Sequence, residues 1–251
     1  MHMDMTKRFS SKAALYARYR WDYAPAVVER IFATTGVGGG SAVADIGSGT
    51  GILTAHFARR VGRIHAVEPS LEMRRMAERD LAHFASFRSV EGLAHATTLP
   101  DRSVDLITAA QAVHWFDPEP TRREFERILK PGGWLAILWN AGPEGELGKA
   151  IKGIWTPENG CAAPDAPPPG AAVPPGVYFG SGRVEESSFP FSRQETWEEF
   201  FGGLGSASSA PDEGSPGFRR FEAAARNVFE RFGSGDRIEV RGRTELRLGK
   251  P

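Results

Sequence analysis

Short apolar runs alternate along residues 41–140 with stretches whose apolar positions recur at helical spacing. SAVADIG (41–47), RIHAVEPS (63–70), SVDLITAAQAV (103–113) and WLAILWN (134–140) read as strands, and FRSVEGLA (87–94) contains another. WLAILWN is apolar on both faces, as a buried parallel strand requires. ILTAHFARR (52–60), LEMRRMAERDLA (71–82) and PEPTRREFERILK (118–130) read as helices. The second has its charges on one face, and Pro131-Gly132-Gly133 is expected to end the third. Upstream, residues 12–35 carry helical spacing interrupted at Pro25, which predicts two short helices before a glycine loop at Gly36 to Gly40. This alternation predicts an α/β fold: a doubly wound, mostly parallel sheet with right-handed crossovers and helices on both faces.

The pattern changes after residue 140. Residues 141–185 are rich in Gly, Pro and Ala. SSFPFSRQE (187–195) reads as a strand, TWEEFFGGL (196–204) and FRRFEAAARNVFERF (218–232) as helices, and RIEVRGRTELRLGK (237–250) as an antiparallel or edge strand. The expected organisation is one domain over 1–251. Residues 1–35 form a helical lid, 36–140 the ligand-binding core and 141–235 a cap of late helices and loops. Residues 236–251 form a terminal strand that completes a seven-stranded sheet.

Composition narrows the function classes. The 251 residues, 41% of them hydrophobic, suffice for one sizeable core. Charges balance at 31 basic and 31 acidic, with a sequence pI near 7.0. No long-range field would draw in nucleic acid or an anionic membrane, which favours a small ligand. The single cysteine, Cys161, allows neither an internal disulfide nor a multi-cysteine zinc site, and fits a cytoplasmic protein. The N-terminus lacks the apolar core of a signal peptide, and no stretch approaches a membrane span.

The candidate chemistry starts at VADIGSGTG (43–51). In an open α/β sheet, ligands bind beyond the carboxyl ends of the strands, where the strand order reverses. The loop follows the first strand, and glycine there lets the chain turn sharply and a ligand approach closely. Its G-x-G-x-G spacing differs from the dinucleotide G-x-G-x-x-G, and no P-loop lysine follows Gly51. Glu68 ends the second strand about twenty residues after the loop, where a carboxylate accepts both hydroxyls of a ribose. The site therefore expects a nucleoside.

VADIGSGTG, HAVEPS, LPDRSVDLITAAQAVHWFD and LKPGGWLAILWN together resemble a class I S-adenosylmethionine-dependent methyltransferase. Within that class they are similar to the small-molecule branch called methyltransferase type 11, and His-Trp-Phe-Asp resembles its trans-aconitate methyltransferase-like members. The resemblance runs in family order over about residues 10–140, and more loosely through the tail. It implies a Rossmann-like sheet, S-adenosylmethionine as methyl donor, S-adenosylhomocysteine as product, and no metal.

Residue by residue, the resemblance places Asp45, Gly47, Gly49 and Gly51 against the methionine part of the cofactor, with Asp45 orienting either the loop or the amino group and Ser48 also binding the cofactor. Glu68 would take the ribose, with Pro69 and Ser70 shaping the turn. Leu93 and Ala94 would lie near the adenine, although Leu93 stands where the family often has a carboxylate and His95 where it often has a glutamate. Gln111 and His114 follow the fourth strand, where the methyl group is presented. Tyr16, Tyr19, Arg20 and Tyr23 match the family's lid pattern. Tyr19 and Arg20 would touch the cofactor, Arg20 pairing with its carboxylate, and Tyr16 and Tyr23 would face the substrate.

Each assignment has a plainer alternative. The tyrosines are either lid residues or the packing face of a helix, and Trp115 and Phe116 either substrate contacts or pocket wall. His114 is either a general base or a partner of a backbone carbonyl. Glu198 and Glu199 read as the solvated face of a helix. Aromatic residues of the cap (Trp155, Tyr178, Phe179, Trp197, Phe200, Phe201) point to an apolar or aromatic acceptor, or form the cap's own core. A binding protein without turnover is the alternative outside the enzymes. A nicotinamide oxidoreductase is the alternative within them, opposed by the glycine spacing. Nucleic-acid methylation is disfavoured because the Pro-Pro-aromatic motif after the fourth strand is missing. Oligomeric state cannot be read.

Overall fold

The structure is a computed structural model that describes residues 13–161 and 174–251. Seven strands form one sheet: β1 (Ala42–Ile46), β2 (Arg63–Val67), β3 (Phe87–Val90), β4 (Val104–Ala110), β5 (Leu129–Ala141), β6 (Val184–Thr196) and β7 (Arg237–Gly249). Their order is β3-β2-β1-β4-β5-β7-β6. The first five are parallel, with Val43 beside Ile64 and Leu106, Ile64 beside Phe87, and Ile107 beside Leu135. β7 runs the other way. Asn140 and Trp134 on β5 meet Thr244 and Lys250, and Ser188 and Ser192 on β6 meet Glu245 and Glu239. The mostly parallel, doubly wound sheet is therefore present. The terminal strand fills the gap between β5 and β6, so β6, which contains the SSFPFSRQE strand of the sequence reading, forms the edge.

The helices are α1 (Ala13–Tyr19), α2 (Pro25–Thr35), α3 (Ile52–Ala58), α4 (Leu71–Leu81), α5 (Pro118–Ile128), α6 (Gly145–Lys152), α7 (Trp197–Gly205) and α8 (Phe218–Phe232). Their ends follow local chemistry. Pro25 opens α2, where a missing N–H costs nothing, and left-handed Gly36 closes it. The Ser70 side chain caps α4. Thr196 and Glu199 form a reciprocal capping box on α7.

One expected boundary is wrong. Pro131-Gly132-Gly133 does not end α5, because the chain already turns extended at Leu129. The three residues lie inside β5 as a bulge: Val104 faces Leu129, yet Leu106 faces Trp134. A Cβ on Gly133 would stand 2.8 Å from Leu129 Cδ2 and 3.0 Å from the Lys130 carbonyl, so the bulge needs a glycine there.

The chain divides into two compact units. The larger comprises Asp22–Asn140, Pro167–Phe189 and Thr244–Pro251. Both faces of its sheet are packed: Val27, Ile31, Val43, Phe57, Ile64 and Leu138 fill one side, and Ile46, Ile107, Phe125, Ile128, Leu135 and Phe179 the other. The smaller comprises Met1–Trp21, Ala141–Ala166 and Pro190–Arg243, with a core of Ile154, Phe200, Phe221, Phe229, Ile238 and Val240. Among the described residues, no helix is long and apolar enough to cross a membrane.

Candidate active site

The strand order reverses between β1 and β4, so their following loops diverge and open a crevice at the carboxyl end of the larger unit's sheet. The turn after β1 is the glycine loop. Gly47, Gly49 and Gly51 all adopt positive φ, at +69°, +55° and +86°. They serve different purposes. A Cβ on Gly47 would lie 2.7 Å from Ala112 Cβ and 3.4 Å from the Phe116 ring, and one on Gly51 2.6 Å from Leu81 Cδ1. These two are required by packing. A Cβ on Gly49 would meet nothing within 4 Å, so its surface is left open.

Asp45 is 1% exposed beneath this loop. Its carboxylate accepts from Thr54 Oγ1 at 2.6 Å and Thr108 Oγ1 at 2.8 Å, joining β1, α3 and β4. Burial pushes its pKa up to about 6, against the pull of those hydroxyls. In this structure both oxygens are thus engaged inside the protein, and Asp45 orders the loop.

Glu68 leaves β2 with its backbone N–H bonded to the Val90 carbonyl. One carboxylate oxygen accepts from Gly49 N at 3.0 Å and the other from Ser70 N at 2.9 Å. The acid thereby clamps the open glycine, and each oxygen keeps a lone pair for a further donor. Burial raises its pKa, while the Ser70 and Gly49 N–H groups and the Arg74 charge oppose the rise.

Ser48 Oγ and Thr50 Oγ1 are buried without a hydrogen-bond partner. Such groups are costly unless something satisfies them. An open glycine, two unsatisfied hydroxyls and a clamped carboxylate form a cradle for a polar ligand with ribose-like hydroxyls. With no lysine after Gly51, the loop lacks the charge a triphosphate requires.

Beyond β3, Leu93 and Ala96 exchange backbone hydrogen bonds in a tight turn. Leu93 is 46% exposed, Ala94 is half-buried and His95 is exposed. The turn lies close because Gly92 has no Cβ, which would come 2.9 Å from Val67 Cγ1.

The chain leaves β4 through Gln111, a non-glycine residue at φ +55°. Its N–H donates to the Leu138 carbonyl at 2.9 Å, which holds the strained turn. A single 3-10 turn, Val113–Trp115, then presents His114 and Trp115, whose rings lie 4.9 Å apart. Tyr178 donates its hydroxyl to the Val113 carbonyl at 3.1 Å and anchors the turn. Phe116 is 7% exposed and packs edge-on against Phe125 and Tyr178. It is the floor beneath Gly47 rather than an open contact surface.

Tyr23 is likewise 7% exposed in the larger unit's core. Tyr16, Tyr19 and Arg20 belong to the smaller unit. There the Arg20 guanidinium sits 5.1 Å over the Tyr16 ring, and Tyr19 donates its hydroxyl to Glu198 at 2.7 Å. Arg18 reaches the same carboxylate at 2.7 Å. Glu198 and Glu199 are therefore engaged, one docking α1 and the other capping α7. The aromatic residues of the late segment are core. Trp197 stacks on Phe201 at 5.0 Å, Trp155 packs on Phe221 at 5.3 Å, and Tyr178 and Phe179 are fully buried. They lend no support to an aromatic acceptor. Sequence reasoning missed Arg74, which the charge pattern of LEMRRMAERDLA places on a solvated helix face. It is 7% exposed and points inward.

A family profile described as a methyltransferase domain matches residues 44–137. An uncharacterized methyltransferase of Mycobacterium tuberculosis is 34% identical over 153 residues, covering 59% of this chain and 60% of that protein's length. An uncharacterized methyltransferase-like protein of Schizosaccharomyces pombe is 32% identical over 200 residues, covering 77% of this chain and 74% of the relative. Among solved structures, the YcgJ protein of Bacillus subtilis shares the fold with a TM-score of 0.58 at 18% identity, over 88% of this chain and 96% of that one.

Proposed function

The chain belongs to the class I S-adenosylmethionine-dependent methyltransferases, and we propose that it transfers a methyl group to a small-molecule acceptor by in-line displacement. The observation that carries this reading is the open glycine Gly49 clamped by Glu68, beside two unsatisfied hydroxyls. Glu68 would hold the ribose hydroxyls. Gly49 and the Ser48 and Thr50 hydroxyls would hold the methionine part, over a loop ordered by Asp45. Leu93 and Ala94 would flank the adenine. When bound, S-adenosylmethionine supplies an already activated methyl group on sulfur. The protein then has to align donor and acceptor and exclude water, and alignment in favourable cases is worth up to about 7–11 kcal/mol.

His114 and Trp115, on the anchored turn after β4, would face the acceptor, and Gln111 sets their direction. A phenol or hydroxyl acceptor would give its proton to His114, whereas a carboxylate or free amine needs no base. Balanced charge supports a small molecule over nucleic acid.

Calorimetric titration of wild type and Glu68→Ala with S-adenosylmethionine, S-adenosylhomocysteine and NADH tests the reading. The expected result is binding of both S-adenosyl compounds at about micromolar Kd, no NADH binding, and at least about tenfold weaker binding in the variant. Folded protein that binds neither S-adenosyl compound would sink the reading. His114→Gln, assayed against hydroxyl and amine acceptors, should slow only the first.

A further inference from the structure

Arg74 lies on the first turns of α4, four residues after the Ser70 cap, in a sequence whose other charges face solvent. Its side chain is 8% exposed. Nη1 donates to the Glu68 carbonyl and to the Pro69 carbonyl, each at 2.8 Å. Nη2 donates to Glu91 Oε2 at 2.7 Å. Glu91 directly follows β3 and is itself 78% exposed. One guanidinium therefore ties the turn that carries Glu68 to the end of the neighbouring strand. The planar fork serves the two carbonyls from Nη1 and the carboxylate from Nη2, a spread that the single nitrogen of lysine does not reproduce.

We propose that Arg74 is a positioning residue for the ribose. It fixes the backbone from which the Glu68 carboxylate projects, and it supplies the positive charge that favours that carboxylate as an anion. This inference rests on the cofactor reading above and deepens it. The charged groups facing the Glu68 carboxylate are few. Arg74 on α4 favours ionisation, Asp45 on β1 disfavours it, and the Gly49 and Ser70 N–H groups favour it. Burial pushes the other way and is the largest influence. Glu91 lies on the far side of the guanidinium. Removal of Arg74 leaves burial and Asp45 opposed only by two N–H groups, so Glu68 should protonate at higher pH. A protonated carboxyl has lost acceptor capacity for ribose hydroxyls.

R74M and R74K separate charge from geometry. In ligand-free protein, carboxyl-carbon NMR should find the Glu68 pKa higher in R74M than in wild type and close to wild type in R74K. Calorimetry with S-adenosylhomocysteine across about pH 5.5–8 should show R74M binding about tenfold or more weakly at neutral pH, and more weakly still as pH falls. R74K should bind less tightly than wild type with a wild-type pH profile. A merely structural arginine would lower affinity without moving either the Glu68 pKa or the pH profile. If folded R74M shows both unchanged, the proposal is overturned. If R74M does not fold, R74K decides, and wild-type affinity in R74K overturns the positioning role. Failure of wild type to bind S-adenosylhomocysteine counts against the cofactor reading instead, and the ligand-free Glu68 pKa still judges the effect of Arg74.

Discussion

Alanine at Gly49 and at Gly47 should separate ligand binding from stability within a single loop. Both glycines have positive φ, +55° and +69°, so either alanine carries the left-handed penalty of about 1–2 kcal/mol. At Gly49 nothing lies within 4 Å of the new Cβ, and the cost should end there. For a chain of this size that is a fall in Tm of about 2–8 °C. At Gly47 the new Cβ stands 2.7 Å from Ala112 Cβ and 3.4 Å from the Phe116 ring, both in the core. Overpacking adds about 1–3 kcal/mol, so the total fall should be about 4–20 °C. Binding should reverse the order of effect. The methyl group of Gly49→Ala occupies the open face of the cradle, and S-adenosylhomocysteine affinity should drop by more than about tenfold in a nearly wild-type fold. Circular-dichroism melts and calorimetry on the two variants measure both quantities. A Gly49→Ala protein with wild-type affinity would refute the cradle. Equal melting losses in the two variants would refute the packing argument.

Three further outcomes follow from the hydrogen-bond networks. Asp45 has a folded pKa of about 6 against 3.8, so its contribution to stability is complete below about pH 3.8 and is lost, by about 3 kcal/mol, as pH rises through about 6. Asp45→Asn should flatten that segment of the stability–pH curve, and an unchanged slope would contradict the assignment. Glu124 is the opposite case: Arg127, aided by Thr97 and against burial, pulls its pKa down to about 2, so its contribution is present above about pH 4.5 and lost as pH falls through about 2. Glu124→Gln should cost about 1–3 kcal/mol and speed hydrogen exchange at the Thr97 amide, which donates to Glu124 at 2.8 Å; wild-type exchange there would argue against the tie. Tyr178→Phe frees the Val113 carbonyl and should cost about 1 kcal/mol, read as a lower Tm; no change would show that the 3-10 turn bearing His114 does not depend on this anchor.

The parts of the fold legible in the sequence were those fixed by local chemistry or by uninterrupted apolar runs. Pro25, Gly36 and Ser70 mark helix ends because each solves a backbone problem within a few residues. The first five strands show as buried runs because a parallel strand is covered on both faces. Glu68 was legible because it sits one position beyond a strand that pairs with β1 in register. What stayed hidden depends on residues distant in sequence. Tyr19 and Glu198, partners at 2.7 Å, are separated by most of the chain. The bulge at Pro131–Gly133 looks like a helix stop, because the same residues serve both purposes and only the partner strand tells them apart. Arg74 looks like a surface charge because two of its three acceptors are backbone carbonyls.

Several departures from ordinary folding rules meet at the carboxyl ends of β1, β2 and β4, whereas others in the larger unit, such as positive-φ Thr98 and Arg102 and the unsatisfied Thr121 hydroxyl, lie elsewhere. Those at the strand ends are positive-φ Gly47, Gly49 and Gly51, positive-φ Gln111, the buried carboxylates Asp45 and Glu68, and the unsatisfied hydroxyls of Ser48 and Thr50. None of them strengthens the fold by itself. A buried carboxylate raises the cost of ionisation, and each hydroxyl without a partner forfeits a hydrogen bond. Stabilising contacts around them offset this: Thr54 and Thr108 on Asp45, Arg74 behind Glu68, and Tyr178 on the Val113 carbonyl. Sequences are locally consistent where only folding is at stake and break those rules where a site must be held ready. The supporting residues should therefore act on binding through the hydrogen bonds they donate rather than through the space they fill. Thr108→Ser, which retains the hydroxyl on Asp45, should keep S-adenosylhomocysteine affinity, whereas Thr108→Val, of nearly the same shape, should weaken it. Equal binding by the two would show that the hydroxyl fills space rather than orders the loop.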